Sequence, residues 1–166
     1  MKINFSSKEL KQICRMPWDG LKSYGVQYNT KSGEKFIFKD NGANVLMVAH
    51  TDTINGFQHY HDLFIGKERR IICTALDDRL GVYTILKLLP SILGENSYDI
   101  LLTDDEERGK STAVYFDPPR AYNWIVEFDR HGTDVVLYQY GGNAEHIDQL
   151  KAAGFRIGIG SFSDIA

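Results

Sequence analysis

A chain of 166 residues is long enough for one domain with a single substantial core, and length argues against two. Its 19 basic and 22 acidic residues leave a net charge of −3, which gives nucleic acid or an anionic membrane no footing, and no apolar run approaches bilayer length. Two cysteines, Cys14 and Cys73, exclude a disulfide framework, and the polar residues after Phe5 exclude a signal-peptide core. Together these features predict reduced, buried thiols in a cytoplasmic protein.

In chain order, Ser6 with Glu9 three residues on forms a capping box that opens a short helix through about Cys14. Lys35 to Lys39 alternates as a strand, and Asp40-Asn41-Gly42 supplies the turn of a tight hairpin into the next strand. That next strand, Asn44 to Ala49, is the first of five short apolar runs, and it delivers His50-Thr51-Asp52. Ile71 to Leu76 delivers Asp77-Asp78-Arg79-Leu80-Gly81, and Asp99 to Thr103 delivers Asp104-Asp105-Glu106-Glu107. Asn123 to Phe128 delivers Asp129, and Phe155 to Ile159 ends in Gly160-Ser161-Phe162-Ser163-Asp164. Such runs read as buried strands. Between them, Leu80 to Leu89 reads as a buried helix stopped by Pro90. Ala144 to Ala153 reads as a helix with an Asn143 cap and Gly154 after it. Strands alternating with helices predict an α/β domain over residues 1–166, three-layer α/β/α, with a mixed, mainly parallel sheet.

In open α/β sheets the reactive groups collect beyond the carboxyl ends of the strands. A carboxylate two residues after a histidine can orient the imidazole through its far nitrogen, which suits Asp52 and His50. Asp77 is the first charged residue after its run, and one carboxylate can bridge two cations. Asp78 is better suited to capping or loop support. Four adjacent acids, Asp104 to Glu107, cost several kcal/mol unless cations or protons neutralise them. Adjacent glutamates also permit a division of labour, one binding metal and the other taking a proton from a water that zinc brings to a pKa of ~7. Asp129 gains its meaning as the fourth member of this set.

The combined pattern, His50-Thr51-Asp52, Asp77 to Gly81, Glu106-Glu107 and Asp129, resembles the co-catalytic di-zinc aminopeptidases and carboxypeptidases in order and approximate spacing. The resemblance runs from about Val45 to Ser163. It implies His50 and Asp129 as ligands of a first zinc, Asp52 as the orienting partner of His50, and Asp77 as the bridging carboxylate. Its bond to Asp78 is often cis in that family. Glu106 is then the general base and Glu107 a ligand of the second zinc, in a hydrolase that cleaves a terminal peptide bond. Manganese or cobalt also suits such ligands. The substrate implied is a peptide or an acyl-amino acid, so an N-acyl amino acid amidohydrolase is an alternative activity.

Two departures accompany the resemblance. Between His50 and Asp77 there is no room for an inserted dimerisation domain, and none for a lid domain after Asp129. The family's last zinc-binding histidine has no counterpart before Ala166, so the chain reads as truncated, with an incomplete second site. A weakly active or inactive relative serving binding or assembly is therefore the competing expectation. His131 is the best internal substitute. His59 and His61 read as part of a surface hairpin and His146 as solvated, while Tyr138 to Gly142 lines a pocket or packs. An uncovered sheet end predicts self-association or marginal stability, with a second metal bound more weakly than the first.

Overall fold

The computed structural model describes residues 4–129, 132–138 and 144–158. Helix α1 (Ser7–Arg15) begins as its capping box requires: the Glu9 N–H donates to Ser6 Oγ at 3.3 Å. Leu10, Ile13 and Cys14 share its buried face, and a short helix α2 (Trp18–Leu21) follows. Strands β1 (Val26–Asn29) and β2 (Lys35–Lys39) form an antiparallel hairpin, Val26 opposite Phe38, turned at Gly33 with φ +99°.

The expected hairpin from β2 into the strand of His50 does not form. Strand β6 (Asp99–Thr103) lies between β2 and β3 (Val45–His50), giving the order β1-β2-β6-β3-β7, with β7 spanning Trp124–Glu127. The connection from Asp40 to Asn44 instead steps across the end of β6. There the fully buried Asp99 carboxylate accepts the backbone N–H groups of Asn41 (2.8 Å) and Ala43 (3.1 Å). Turn residues read without this carboxylate look like a hairpin; the carboxylate makes them a crossover.

The sheet is mixed, but not mainly parallel. β3 is parallel to both β6 and β7, whereas β2 is antiparallel to β1 and β6. Ile71 to Cys73 also falls outside this sheet. Strands β4 (Tyr60–Ile65) and β5 (Glu68–Cys73) make a separate hairpin turned at Gly66. Charged Glu68, Arg69 and Arg70 suit β5 to solvent; only Ile71 and Cys73 turn inward, packing against the main core, and Ile72 stays exposed. His61 lies on this exposed hairpin, with its ring 5.5 Å from that of His59.

Helix α3 (Leu76–Tyr83) does not end at Pro90. A wider turn over Thr84–Leu88, in which the Leu89 N–H donates to the Thr84 carbonyl at 2.8 Å, carries it into α4 (Pro90–Leu93). Proline lacks an N–H and clashes with the carbonyl four residues back, and a locally wider helix relieves both constraints. Gly94, with φ +95°, ends the run.

One sheet face, through Ile37, Met47 and Ile100, meets Leu10 and Ile13 of α1 with Val82 and Ile85 of the α3 region. On the other face Phe36, Phe38, Leu46, Val48 and Leu101 are covered by Phe116 and Tyr122, from the segment joining β6 to β7. β8 (Asp134–Val136) and β9 (Arg156–Gly158) pair in parallel, with α5 (Ala144–Ala152) between them in sequence. His146 of α5 is half-buried rather than solvated, because its ring packs 4.6 Å from that of Trp124. Among the described residues no helix is long and apolar enough to cross a membrane. Asn143, His131, most of Tyr138 to Gly142 and the Gly160 to Asp164 segment lie outside the described residues.

Candidate metal centre

Parallel pairing on both sides of β3 brings three chain exits to one end of the sheet. His50 is the last residue of β3 and lies opposite Thr103, so Asp104 to Glu107 emerge beside it. Val48 lies opposite Glu127, which carries Asp129 to the level of His50 two residues later. Asp77 arrives from outside the sheet, at the irregular first turn of α3, where neither Asp77 nor Asp78 has helical dihedrals. The peptide bond joining these two aspartates is cis.

The His50 ring is completely buried. Its Nε2 lies 3.2 Å from Asp77 Oδ1, 3.6 Å from Asp129 Oδ1 and 3.6 Å from Glu106 Oε2. Ligand atoms of His50, Asp77 and Asp129 all fall within 4.8 Å of one another, so this group can hold a metal ion. Nε2 has no hydrogen-bond partner among the described residues, although burying such a group without one is costly. A buried imidazole lone pair facing carboxylates is the donor set a divalent cation requires.

The other ring nitrogen is engaged. Nδ1 lies 3.2 Å from the Asp52 carbonyl oxygen and 3.4 Å from its Oδ1, so the main-chain carbonyl is the nearer acceptor. Donation there directs the Nε2 lone pair into the acidic cluster. The Asp52 carboxylate also accepts the backbone N–H groups of Glu106 at 3.2 Å and Glu107 at 3.1 Å. Burial raises its pKa, but His50 and the Glu107 N–H more than offset this and hold it below the usual carboxylate range. Asp52 thus ties the histidine to the glutamate turn. That turn opens with Asp105 in the left-handed region at φ 62°, a conformation aspartate tolerates better than most residues.

Charge balance at the cluster is unusual. Burial disfavours the His50 imidazolium, yet Asp129, Asp52 and Asp78 outweigh it and push the pKa up to about 12. Partial desolvation, with Asp129 beside it, pushes Asp77 up to about 6. So many carboxylates require either protons or a cation between them. Asp78 is set apart from the three ligand atoms. It is buried, its Oδ1 accepts the Gly81 N–H at 2.8 Å, and a Cβ at Gly81 would overlap its carboxylate. The spacing from Asp77 to Gly81 thus reflects a tight cap on the helix start.

Glu106 stands beside the three-residue group and Glu107 outside it. Glu107 instead lines a cavity of about 600 Å³ together with Asp52, Thr53, Asp104 and Lys35. Among the described residues no second group of three metal-binding side chains occurs. Lys35 is a wall residue that motif reading overlooks. Its Nζ lies 3.5 Å from Asp104 Oδ2 and 4.4 Å from the centre of the Trp18 ring. Only the placement of β2 beside β6 reveals it, since a lysine in an alternating strand carries no signal of its own. Comparison with protein-family models, curated proteins and solved structures gave no match.

Proposed function

We propose that this chain is a metal-dependent hydrolase of the zinc exopeptidase type, built on a three-layer α/β/α domain and cleaving a peptide bond at a chain end. The observation that carries the reading is the buried His50 Nε2, without a hydrogen-bond partner among the described residues and facing Asp77, Asp129 and Glu106. His50, Asp77 and Asp129 would hold one cation, and Asp77 with Glu107 would contribute to a second. A divalent cation there supplies Lewis-acid activation of water and polarises the scissile carbonyl.

The chain's own residues do the rest. Asp52 fixes the tautomer of His50 through Nδ1 and, through the backbone of Glu106 and Glu107, holds the base in place beside the cluster. Glu106 accepts the proton of the attacking water and returns it to the leaving amine. The cavity next to Glu107 receives the substrate.

Glu107 lies outside the three-ligand group, and this favours a second reading in which one metal is held and the domain binds rather than cleaves. Metal analysis by mass spectrometry, combined with turnover of amino-acid anilides and N-acyl amino acids before and after zinc addition, separates the two. Zinc-dependent release of product supports hydrolysis. Metal bound with no turnover of either substrate class supports binding. No metal bound by the wild type, with His50→Ala indistinguishable from it, overturns both.

A further inference from the structure

Cys14 and Cys73 take no part in the metal centre, yet they are packed together. Cys14 lies in the last turn of α1, 4% exposed within the main core, and Cys73 ends β5, half-buried against that same core. Their side chains are hydrogen-bonded to each other, and both are free thiols. The Cys73 sulfur also accepts the Ala75 N–H at 3.4 Å, which fixes its position. Arg79 clamps the two segments from beyond. Its Nη1 donates to the carbonyls of Ile13 (3.4 Å) and Met16 (3.0 Å), on either side of Cys14. The end of α1 is therefore held against the stretch from Cys73 to Arg79, which carries Asp77.

We infer that Cys14 and Cys73 are an oxidative modification site, forming a reversible disulfide with a peroxide as oxidant and stapling α1 to the segment that presents Asp77. Cys73 is the more exposed thiol and reacts first. Its sulfur attacks one peroxide oxygen, the O–O bond breaks, and the products are Cys73 sulfenic acid and one water. The Cys14 sulfur then attacks the Cys73 sulfur. The S–O bond breaks, the departing hydroxide takes the Cys14 proton, and a second water leaves. Two thiols are oxidised and one peroxide is reduced to two waters. Burial of Cys14 keeps it from independent oxidation, since its thiol is held largely protonated by desolvation and by its neighbour.

The test treats the full chain with a small excess of hydrogen peroxide and follows it by intact-mass and peptide mass spectrometry. The expected result is a loss of two hydrogen masses per chain and a peptide containing Cys14 joined to one containing Cys73, reversed by dithiothreitol. Closing a loop of this length should raise Tm by roughly 5–15 °C. Cys73→Ser should abolish the shift and leave Cys14 open to alkylation in urea after peroxide treatment, whereas in the wild type Cys14 should be protected. Oxidation of Cys73 to a sulfinic acid with Cys14 still a free thiol would overturn the inference, as would cross-links found only between chains.

Discussion

At the scale of single residues, the His50 ring organises the centre because its two nitrogens meet different chemistry. Nδ1 meets the Asp52 carbonyl and Nε2 meets acids. If Glu106 is the base and Glu107 a ligand, Glu106→Gln should retain metal and lose ~10²-fold or more in turnover. Glu107→Ala should instead lower the amount of metal bound, and metal analysis beside a rate assay checks both. Equal metal loss in the two variants would remove the division of labour. The same cluster sets a pH dependence. The pKa of Asp77 is raised from 3.8 to about 6, so the metal-free fold loses stability as pH rises through that interval. The pKa of His50 is raised from 6.5 to about 12, so its contribution is complete below 6.5 and is lost as pH climbs above it. Both slopes have one sign: denaturation of chelator-treated protein should show greater stability at pH 5 than at pH 8. Metal binding expels the same protons, so zinc affinity should rise over that range.

Among the elements, the connection between β2 and β3 depends on one buried carboxylate. Asp99 accepts two backbone N–H groups, the Tyr122 hydroxyl at 2.7 Å, and Arg120, which also pairs with Asp40. Asp99→Ala leaves these donors without their acceptor and should cost about 3–5 kcal/mol in urea denaturation. A cost under 1 kcal/mol would mean the crossover holds itself. This carboxylate also marks where sequence reading stopped. The apolar runs before His50, Asp104 and Asp129 were legible because burial on both faces leaves a continuous hydrophobic stretch. The groups beyond them were legible because charges at a strand end stand out. Strand order was not, because a turn sequence fixes local direction and cannot name the strand that pairs next. Nor was β5 distinguishable, since Ile71 to Cys73 is apolar in either setting and only Arg69 and Arg70 before it point to solvent. Pro90 misled for a related reason. A proline forbids the ordinary helix, but the wider turn before it escapes that constraint.

Across the whole molecule, His50, Asp77 and Asp129 stand on β3, on the start of α3 and just past β7. A cation held between them binds only the assembled fold, so zinc at 100 times its Kd should stabilise the protein by ~2.7 kcal/mol, or roughly 5–10 °C in Tm. Thermal melts with zinc and with chelator measure this directly; identical midpoints would place the ligands off a common cation. The parallel ladders also impose an order in time. β3 must find β6 and then β7, with His50 opposite Thr103 and Val48 opposite Glu127, partners far apart along the chain. The entropy of closing those loops is spent before any contact repays it, so such pairings form late in folding. Helix α1 and the two hairpins are local and assemble early, while the ligand set depends on the slowest encounters. Competence to bind a cation is therefore a property of the finished chain, acquired in the last step of folding.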